Sequence, residues 1–185
     1  MTAPRLAFAI LAVVAVALPV LANAQNSLLP GGASSLQETH QDWQVICVVR
    51  EKARTCVVSQ QQSKRDTNQR VLTVEYSQDN NNSTNGMLIM PFGLLLSAGI
   101  TLQVDEKVVS KPLPFRTCLP AGCIVPLTLD KSGIEAQRLG TTLKIVAMSS
   151  DNNQPVQLAV SLKGLADALD RVREISSQDG FSSRR

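Results

Sequence analysis

The chain of 185 residues contains 44% hydrophobic and 18% charged residues and carries a formal net charge of +3 at pH 7. This composition excludes a chain that is disordered throughout, because such chains are poorer in apolar residues and richer in net charge. The length excludes a large enzyme with a separate cofactor domain, and the small net charge argues against a nucleic-acid partner.

Residues 1–24 have the pattern of a secretory signal peptide. Arg5 supplies the positive charge, residues 6–21 are almost wholly apolar, and the Ala-Asn-Ala at 22–24 matches a cleavage site before Gln25. A membrane anchor is the alternative, but the apolar run of about 16 residues is shorter than the roughly 20 needed to cross a bilayer. We therefore expect an exported protein, periplasmic or in the outer envelope or secreted, without a stable transmembrane anchor after cleavage.

All four cysteines follow this cleavage site: Cys47, Cys56, Cys118 and Cys123. An even number in an exported protein predicts disulfides, and four cysteines allow three connectivities. We predict the local pairs Cys47–Cys56 and Cys118–Cys123, since a hairpin turning at 51–52 places the first pair at a non-hydrogen-bonded site, about 4.5 Å between Cα atoms. Glu-Lys is unfavourable in a two-residue turn, so a longer loop between the two strands is the alternative. The spacings do not match those of a zinc site, which is the alternative.

The first half of the chain after residue 24 is expected to form a flexible N-terminal segment followed by strands. Residues 25–41 contain Pro-Gly-Gly-Ala-Ser-Ser and predict a flexible N-terminal segment. Residues 43–49 are the first strand candidate, 55–61 are its hairpin partner, and period-two alternation predicts a strand at 71–76. Polar loops are expected at 63–69 and 78–86.

The second half predicts more strands and two helices. Residues 87–92 are apolar on both faces, and apolar residues at every second position predict a long strand over 94–104. Capping-box spacing at 132–135 predicts a short helix through Leu139, and an amphipathic helix begins near Leu165. Further short strands are predicted at 108–113, 123–129, 143–147 and 156–162.

These elements predict a mainly β fold. The expected architecture is a disulfide-bonded, single-domain antiparallel β-sandwich or partly open barrel with a short helix and a C-terminal helix. The β-rich domain is expected at 42–175, after the signal peptide (1–24) and the flexible segment (25–41), and before a disordered tail (176–185).

Catalytic and metal-binding patterns are absent from the sequence. His40 is the only histidine, so one chain cannot form a multi-histidine metal site, and we expect it to be solvated. Gly-rich phosphate loops and calcium-binding loops are also missing. We therefore expect a protein that is not an enzyme and that has no cofactor. The acidic residues in turn-like or helical contexts are expected at the surface: Asp66, Asp105, Glu106, Asp167 and Asp170.

The apolar stretch 87–96 has two interpretations. It is either a central strand covered on both faces, as most long apolar runs are, or an exposed patch that docks another protein. A protein-binding site would use this stretch and the short loop between Cys118 and Cys123. The candidate partner-binding residues are Met87, Ile89, Met90, Phe92, Leu119 and Pro120.

Several landmarks follow one another in a recognisable order. They are Trp43, Cys47 and Cys56, then Met90-Pro91-Phe92-Gly93-Leu94 with Gly99-Ile100, then Cys118 with Gly122-Cys123, then Ser161-Leu162-Lys163-Gly164-Leu165 with Ala168-Leu169. Over about residues 40–172 this order resembles the invasion-associated locus B family of bacterial envelope proteins. The resemblance implies a small, exported, β-rich, disulfide-bonded protein of a Gram-negative cell, linked to host-cell invasion or virulence. The family has no agreed catalytic residues to carry over.

The leading hypothesis is a non-enzymatic envelope or periplasmic protein that binds a protein partner of unknown identity. The alternatives are a chaperone-like or structural envelope component and an atypical hydrolase that uses carboxylates. A deep pocket with two convergent carboxylates would favour the hydrolase.

Overall fold

Two antiparallel sheets pack face to face in the computed structural model, which describes residues 28–51, 53–78 and 84–177. The helices are α1 (Lys131–Leu139) and α2 (Leu165–Ser177). The strands in chain order are β1 (Ser35–His40), β2 (Trp43–Arg50), β3 (Ala53–Ser63), β4 (Arg70–Gln78), β5 (Thr84–Met90), β6 (Thr101–Val104), β7 (Lys107–Val108), β8 (Thr117–Leu119), β9 (Gly122–Leu129), β10 (Thr142–Met148) and β11 (Pro155–Ser161).

The larger sheet has the strand order β1-β2-β3-β4-β5-β9-β8, and the smaller sheet has the order β11-β10-β6-β7. The sheets do not close into a barrel, so the predicted mainly β sandwich with two helices is confirmed. None of the helices in the described ranges is long and apolar enough to cross a membrane. The predicted signal peptide lies outside the described residues.

Period-two alternation places one face of each sheet in a shared core. On β2, Trp43, Val45 and Cys47 are buried whereas Gln44 is exposed. The rings of Trp43 and Tyr76 stack, with centroids 5.6 Å apart and 29° between their planes. Both residues are fully buried, as expected from their positions on the apolar faces of their strands.

Side chains of the larger sheet satisfy the backbone of β11, an edge strand of the smaller sheet. The carbonyl oxygen of Ser161 accepts from Trp43 Nε1 at 2.9 Å and from Gln60 Nε2 at 3.0 Å. Gln62 Nε2 donates to the carbonyl oxygen of Ala159 at 2.7 Å. These hydrogen bonds join the two sheets and occupy acceptors that an open edge would present to another strand.

Both predicted disulfides are present. Cys47 pairs with Cys56 across β2 and β3, with 4.1 Å between Cα atoms, and Cys118 pairs with Cys123 across β8 and β9, with 3.9 Å. Arg50 pairs with Ala53, so the connection between β2 and β3 has two residues. It is therefore not the longer loop that the sequence analysis kept as an alternative. Both short Cα separations suit non-hydrogen-bonded antiparallel pairs.

The expected flexible segment 25–41 is wrong for its last residues, because Ser35–His40 form β1 along the edge of β2. Leu36 packs against the core, and Glu38 contacts α2. Alternating burial therefore begins only a few residues after the Pro-Gly-Gly sequence that suggested flexibility. At the other end of the domain, α2 continues to Ser177, two residues into the expected tail, and the rest of that tail lies outside the described residues.

The long strand expected over 94–104 is also wrong. Residues Leu96–Ala98 form a 3-10 turn, and only Thr101–Val104 form β6. The chain must change sheets here, because β5 belongs to the larger sheet and β6 to the smaller one. The strand expected at 108–113 shrinks to the two residues of β7, with Leu113 held by a single bridge to Ile100.

The short helix α1 is confirmed, but its N-cap is Asp130 rather than Ser132. A carboxylate oxygen of Asp130 accepts from the backbone N–H of Gly133 at 2.6 Å, which lowers the pKa of Asp130. The helix covers the core through Gln137, whose Oε1 accepts from the Tyr76 hydroxyl at 2.5 Å. Burial raises the pKa of Tyr76, so this hydroxyl stays protonated and remains a donor.

An ion pair attaches α2 to β1. The Arg171 guanidinium donates to both carboxylate oxygens of Glu38, at 2.7 and 2.8 Å. These hydrogen bonds hold the pKa of Glu38 below its ordinary value of 4.5. Since the pKa is lower in the folded state, the pair stabilises the fold above that ordinary value, and the contribution is lost as the pH falls through the folded-state pKa.

We expect Glu38→Gln to lower the free energy of unfolding by about 1 kcal/mol at neutral pH. The variant should also lose less stability than the wild type on acidification below about pH 4.5, because it lacks the titrating carboxylate. Urea denaturation followed by circular dichroism across this pH range measures both effects. Glu174→Gln is the matched control, because Glu174 contacts the same Arg171 at 3.3 Å with a side chain that is 67% exposed. Equal effects of the two variants would contradict a special role of Glu38.

Candidate protein-binding site

A groove with a volume of about 380 Å³ lies where β4 begins, β5 ends and β9 begins. We call it the end groove. Its floor and walls come from three segments that are distant in the sequence and that the larger sheet brings together. The lining residues are Lys64, Gln69, Arg70, Val71, Ile89, Met90, Pro91, Phe92, Pro120, Ala121 and Gly122.

Gly122 allows the β8–β9 hairpin to pack against the end of β5. It has φ +136°, and a Cβ at this position would lie 2.5 Å from the carbonyl oxygen of Met90. No other residue type tolerates both this conformation and this approach. The Cys118–Cys123 disulfide ties β8 to β9, so the turn at Pro120 is held beside the groove.

The wall of the end groove that faces the β8–β9 hairpin is the loop that joins β3 to β4. The backbone N–H of Lys64 donates to the carbonyl oxygen of Gln69 at 2.8 Å, and that of Asn68 donates to Lys64 at 2.9 Å. A guanidinium nitrogen of Arg70 reaches across to the carbonyl oxygen of Ala121 at 3.3 Å. The two walls of the end groove are therefore connected by a hydrogen bond.

The structure brings four of the six candidate partner-binding residues to the end groove: Ile89, Met90, Phe92 and Pro120. Phe92 is 62% exposed and Leu119, next to Pro120, is 49% exposed. Met90 has only 1% exposure and belongs to the core, so its assignment as a contact residue is wrong. The strand period explains this, because Leu88 and Met90 face inward whereas Met87 and Ile89 face outward.

A small apolar area on the outer face of the larger sheet continues the groove. Met87 is paired with Pro126 and Ile89 with Ile124, so these four side chains share one face, and we call them the outer patch. The sequence interpretation missed Ile124 and Pro126, and also the groove cations Lys64 and Arg70. Alternation along β9 could have identified the first two, because Val125 and Leu127 are the buried positions between and after them.

The residues considered for catalysis have structural partners instead. His40 lies in β1 with 23% of its side chain exposed, 3.6 Å from Glu38, so the expectation of a solvated residue is wrong. Asp105 accepts from the backbone N–H groups of Thr141 and Thr142 at 2.9 and 3.0 Å. Glu106 contacts Lys144.

Two further acids also have partners: Asp66 accepts from the N–H of Thr67, and Asp170 forms ion pairs with Arg138 and Arg173. Asp167 is exposed on α2, as expected. The Arg138 guanidinium holds the pKa of Asp170 below its ordinary range. Within the described ranges, no group of three histidine, cysteine or acidic residues is arranged to hold a metal ion.

A second cavity of about 690 Å³ lies between the 108–113 segment, the end of β9 and the beginning of α1. Asp130 is the only carboxylate among the described residues that line it, and it caps α1. This cavity therefore lacks the pair of convergent carboxylates that would favour the hydrolase hypothesis.

Together, these features define a disulfide-bonded β-sandwich of two unequal sheets, with an apolar groove at one end of the larger sheet. The family described as "Invasion associated locus B (IalB) protein" matches residues 43–173. The chain belongs to this family.

Individual relatives agree with this assignment. An invasion protein B homolog of Brucella abortus (strain 2308) is 42% identical over 148 residues, which cover 80% of this chain and 85% of the relative. Invasion protein B of Bartonella bacilliformis is 33% identical over 159 residues, or 85% of either chain. The crystal structure of invasion associated protein B from Bartonella henselae is similar with a TM-score of 0.73 and 34% identity, covering 78% of this chain and 99% of that chain.

Proposed function

We propose that the protein is an exported, non-enzymatic component of the bacterial envelope that binds a protein partner and thereby serves host-cell invasion. The name invasion protein B, borne by relatives from Brucella and Bartonella, supports the role in invasion. All four cysteines form disulfides, which supports an oxidising compartment such as the periplasm or the cell surface.

The observation that carries this proposal is the exposure of large apolar side chains around the end groove. Phe92 is 62% exposed, although Met90 and Leu94 on either side of it are buried, and Leu119 is 49% exposed at the end of the exposed strand β8. The outer patch, in which Met87, Ile89 and Ile124 are half-buried and Pro126 is exposed, extends this apolar area over β5 and β9. An aromatic side chain beside a groove is a common anchor of protein interfaces, and contiguous exposed apolar surface typically marks such an interface.

Site-specific photocrosslinking in living cells tests the proposal. A photoreactive amino acid replaces Phe92 or Leu119, and mass spectrometry identifies what each position captures. Leu139 is the matched control, because it is also an exposed leucine, at 85%, but lies on α1 beyond the opposite end of β9. We expect positions 92 and 119 to capture the same one or two envelope or host-surface proteins, and position 139 not to capture them.

Two outcomes would contradict the proposal. Capture of the same set of proteins at all three positions would indicate non-specific adhesion or chaperone-like binding to many clients. Capture of no protein at positions 92 and 119, with the chain exported and folded, would remove the end groove as a partner site.

A further inference from the structure

We infer that the partner presents an acidic as well as apolar segment to the end groove, and that Lys64 and Arg70 select for its acidic residues. The inference rests on the proposed function and specifies the chemistry of the partner. Its basis is the charge of the residues that line the groove.

The end groove is apolar except on one wall, where its charge has a single sign. Two of the eleven described lining residues are charged, Lys64 and Arg70, and both are cations. Neither forms an ion pair with an acid in the described part of the chain. Both of these side chains are exposed, whereas the half-buried cations Arg138 and Arg171 pair with Asp170 and Glu38.

The guanidinium of Arg70 is held in place by its hydrogen bond to the carbonyl oxygen of Ala121, whereas the Lys64 side chain makes no hydrogen bond within the described ranges. The neutral carbonyl leaves the positive charge of Arg70 uncompensated. Binding of a carboxylate beside these cations supplies a counter-charge, and such charge complementarity favours partners of opposite sign.

The apolar wall limits how the segment can bind. Pro91 and Pro120 lack backbone N–H donors, and β8, the adjacent edge strand, has only three residues. Addition of a long partner strand through backbone hydrogen bonds is therefore disfavoured. The volume of about 380 Å³ is at the lower end for ligand sites. It suits one or two inserted apolar side chains, with Phe92 packing beside them and the acidic neighbours on the Lys64 wall.

An anionic membrane would be a different partner for the same cations. Binding to anionic lipid headgroups usually requires clusters of about 4–8 basic residues. The β3–β4 loop and the first residue of β4 provide Lys64, Arg65 and Arg70, together with the opposing charge of Asp66. Three basic residues and one acid fall short of such a cluster, so we expect an acidic peptide rather than a membrane surface to bind.

Selection from a random peptide library displayed on phage, against the purified and oxidised protein, tests the inference. We expect the selected peptides to place Asp or Glu beside an aromatic or aliphatic residue and to block photocrosslinking at Phe92. Lys64→Glu should weaken binding of a selected peptide by about tenfold, because it converts attraction into repulsion. The loss should shrink at high ionic strength, where charges are screened.

Lys64 is the informative position, because its side chain makes no hydrogen bond or ion pair within the described ranges, whereas Arg70 also holds the turn at Ala121. Lys107→Glu is the matched control: it makes the same charge change at an exposed site on β7, in the other sheet. We expect it to leave peptide affinity unchanged.

The outcomes separate this inference from the proposed function. Peptides that block crosslinking at Phe92 but lack acidic residues, or that bind the Lys64→Glu variant equally well, would overturn the inference and leave the proposed function standing. Absence of selected peptides together with absence of crosslinks at positions 92 and 119 would overturn both. Lys64-dependent binding to vesicles of phosphatidylglycerol and phosphatidylethanolamine, with no acidic enrichment among peptides, would also overturn the inference.

Discussion

Replacing Trp43 with alanine is expected to lower the free energy of unfolding by about 3–5 kcal/mol. Trp43 is fully buried, and its ring stacks on Tyr76 with centroids 5.6 Å apart. Its Nε1–H group also donates to the carbonyl oxygen of Ser161 and so connects β2 of the larger sheet to β11 of the smaller one. The substitution thus creates a cavity in the core and removes a hydrogen bond between the sheets.

The conservative variant Trp43→Phe separates the two contributions. It retains most of the apolar volume and loses the N–H donor, and Gln60 still donates to the Ser161 oxygen at 3.0 Å. We therefore expect a smaller loss, about 1–3 kcal/mol. Because Trp43 is the only tryptophan, urea denaturation should be followed by circular dichroism rather than by tryptophan fluorescence. A loss below about 1 kcal/mol for Trp43→Ala would contradict its place at the centre of the core.

Gly164→Ala is expected to lower the free energy of unfolding about as much as Trp43→Ala, for a steric reason. Gly164 joins β11 to α2 with φ +87°, and a Cβ at this position would overlap the carbonyl oxygen of His40. The adjacent backbone cannot move away freely, because the N–H of Asp42 donates to the carbonyl oxygen of Lys163 and Ala168 donates to Gly164. We expect a loss of at least about 3 kcal/mol, from a strained φ together with a displaced backbone.

Gly93→Ala is the matched control for this prediction. Gly93 has nearly the same φ, +85°, but open space around the position of a Cβ. The free energy of unfolding of this variant should fall by only about 1–2 kcal/mol, the usual cost of a non-glycine residue with left-handed backbone angles. Thermal or urea unfolding of both variants measures the difference. Equal losses would show that the close approach between Gly164 and the β1–β2 turn does not matter for stability.

Much of the fold could be predicted from local patterns. Alternation identified β2, β4, β9, β10 and β11 to within a few residues, since each has one face in a core and one near solvent. The disulfide pairs followed from short spacings, because cysteines that face each other across neighbouring strands can pair without rearranging the chain. The glycines of the family motifs were visible as a pattern, but the backbone approach at Gly164 was not.

The candidate site was predictable only in part. The apolar stretch 87–92 singled out Phe92, the short loop between Cys118 and Cys123 singled out Leu119 and Pro120, and the structure leaves all three exposed. The same apolar run also contained Met90, which faces the core, and no pattern within the run showed which residues would be covered. The cation Lys64 lies in a polar loop and Arg70 directly follows it, and nothing in that loop indicated a contact with the distant segments around Phe92 and Pro120.

Local sequence patterns were enough to predict the mainly β class, the local disulfides, the C-terminal helix and the resemblance to the family. These features depend on neighbouring residues, because strand period, capping and short-range cysteine pairing act over a few positions. Three other features became visible only in three dimensions: residues 35–40 join the sheet, the chain changes sheets between β5 and β6, and Lys64, Phe92 and Pro120 line one groove. Those features depend on how β4, β5 and β9 are ordered in the sheet, and that order is set by packing of the whole core rather than by any single segment.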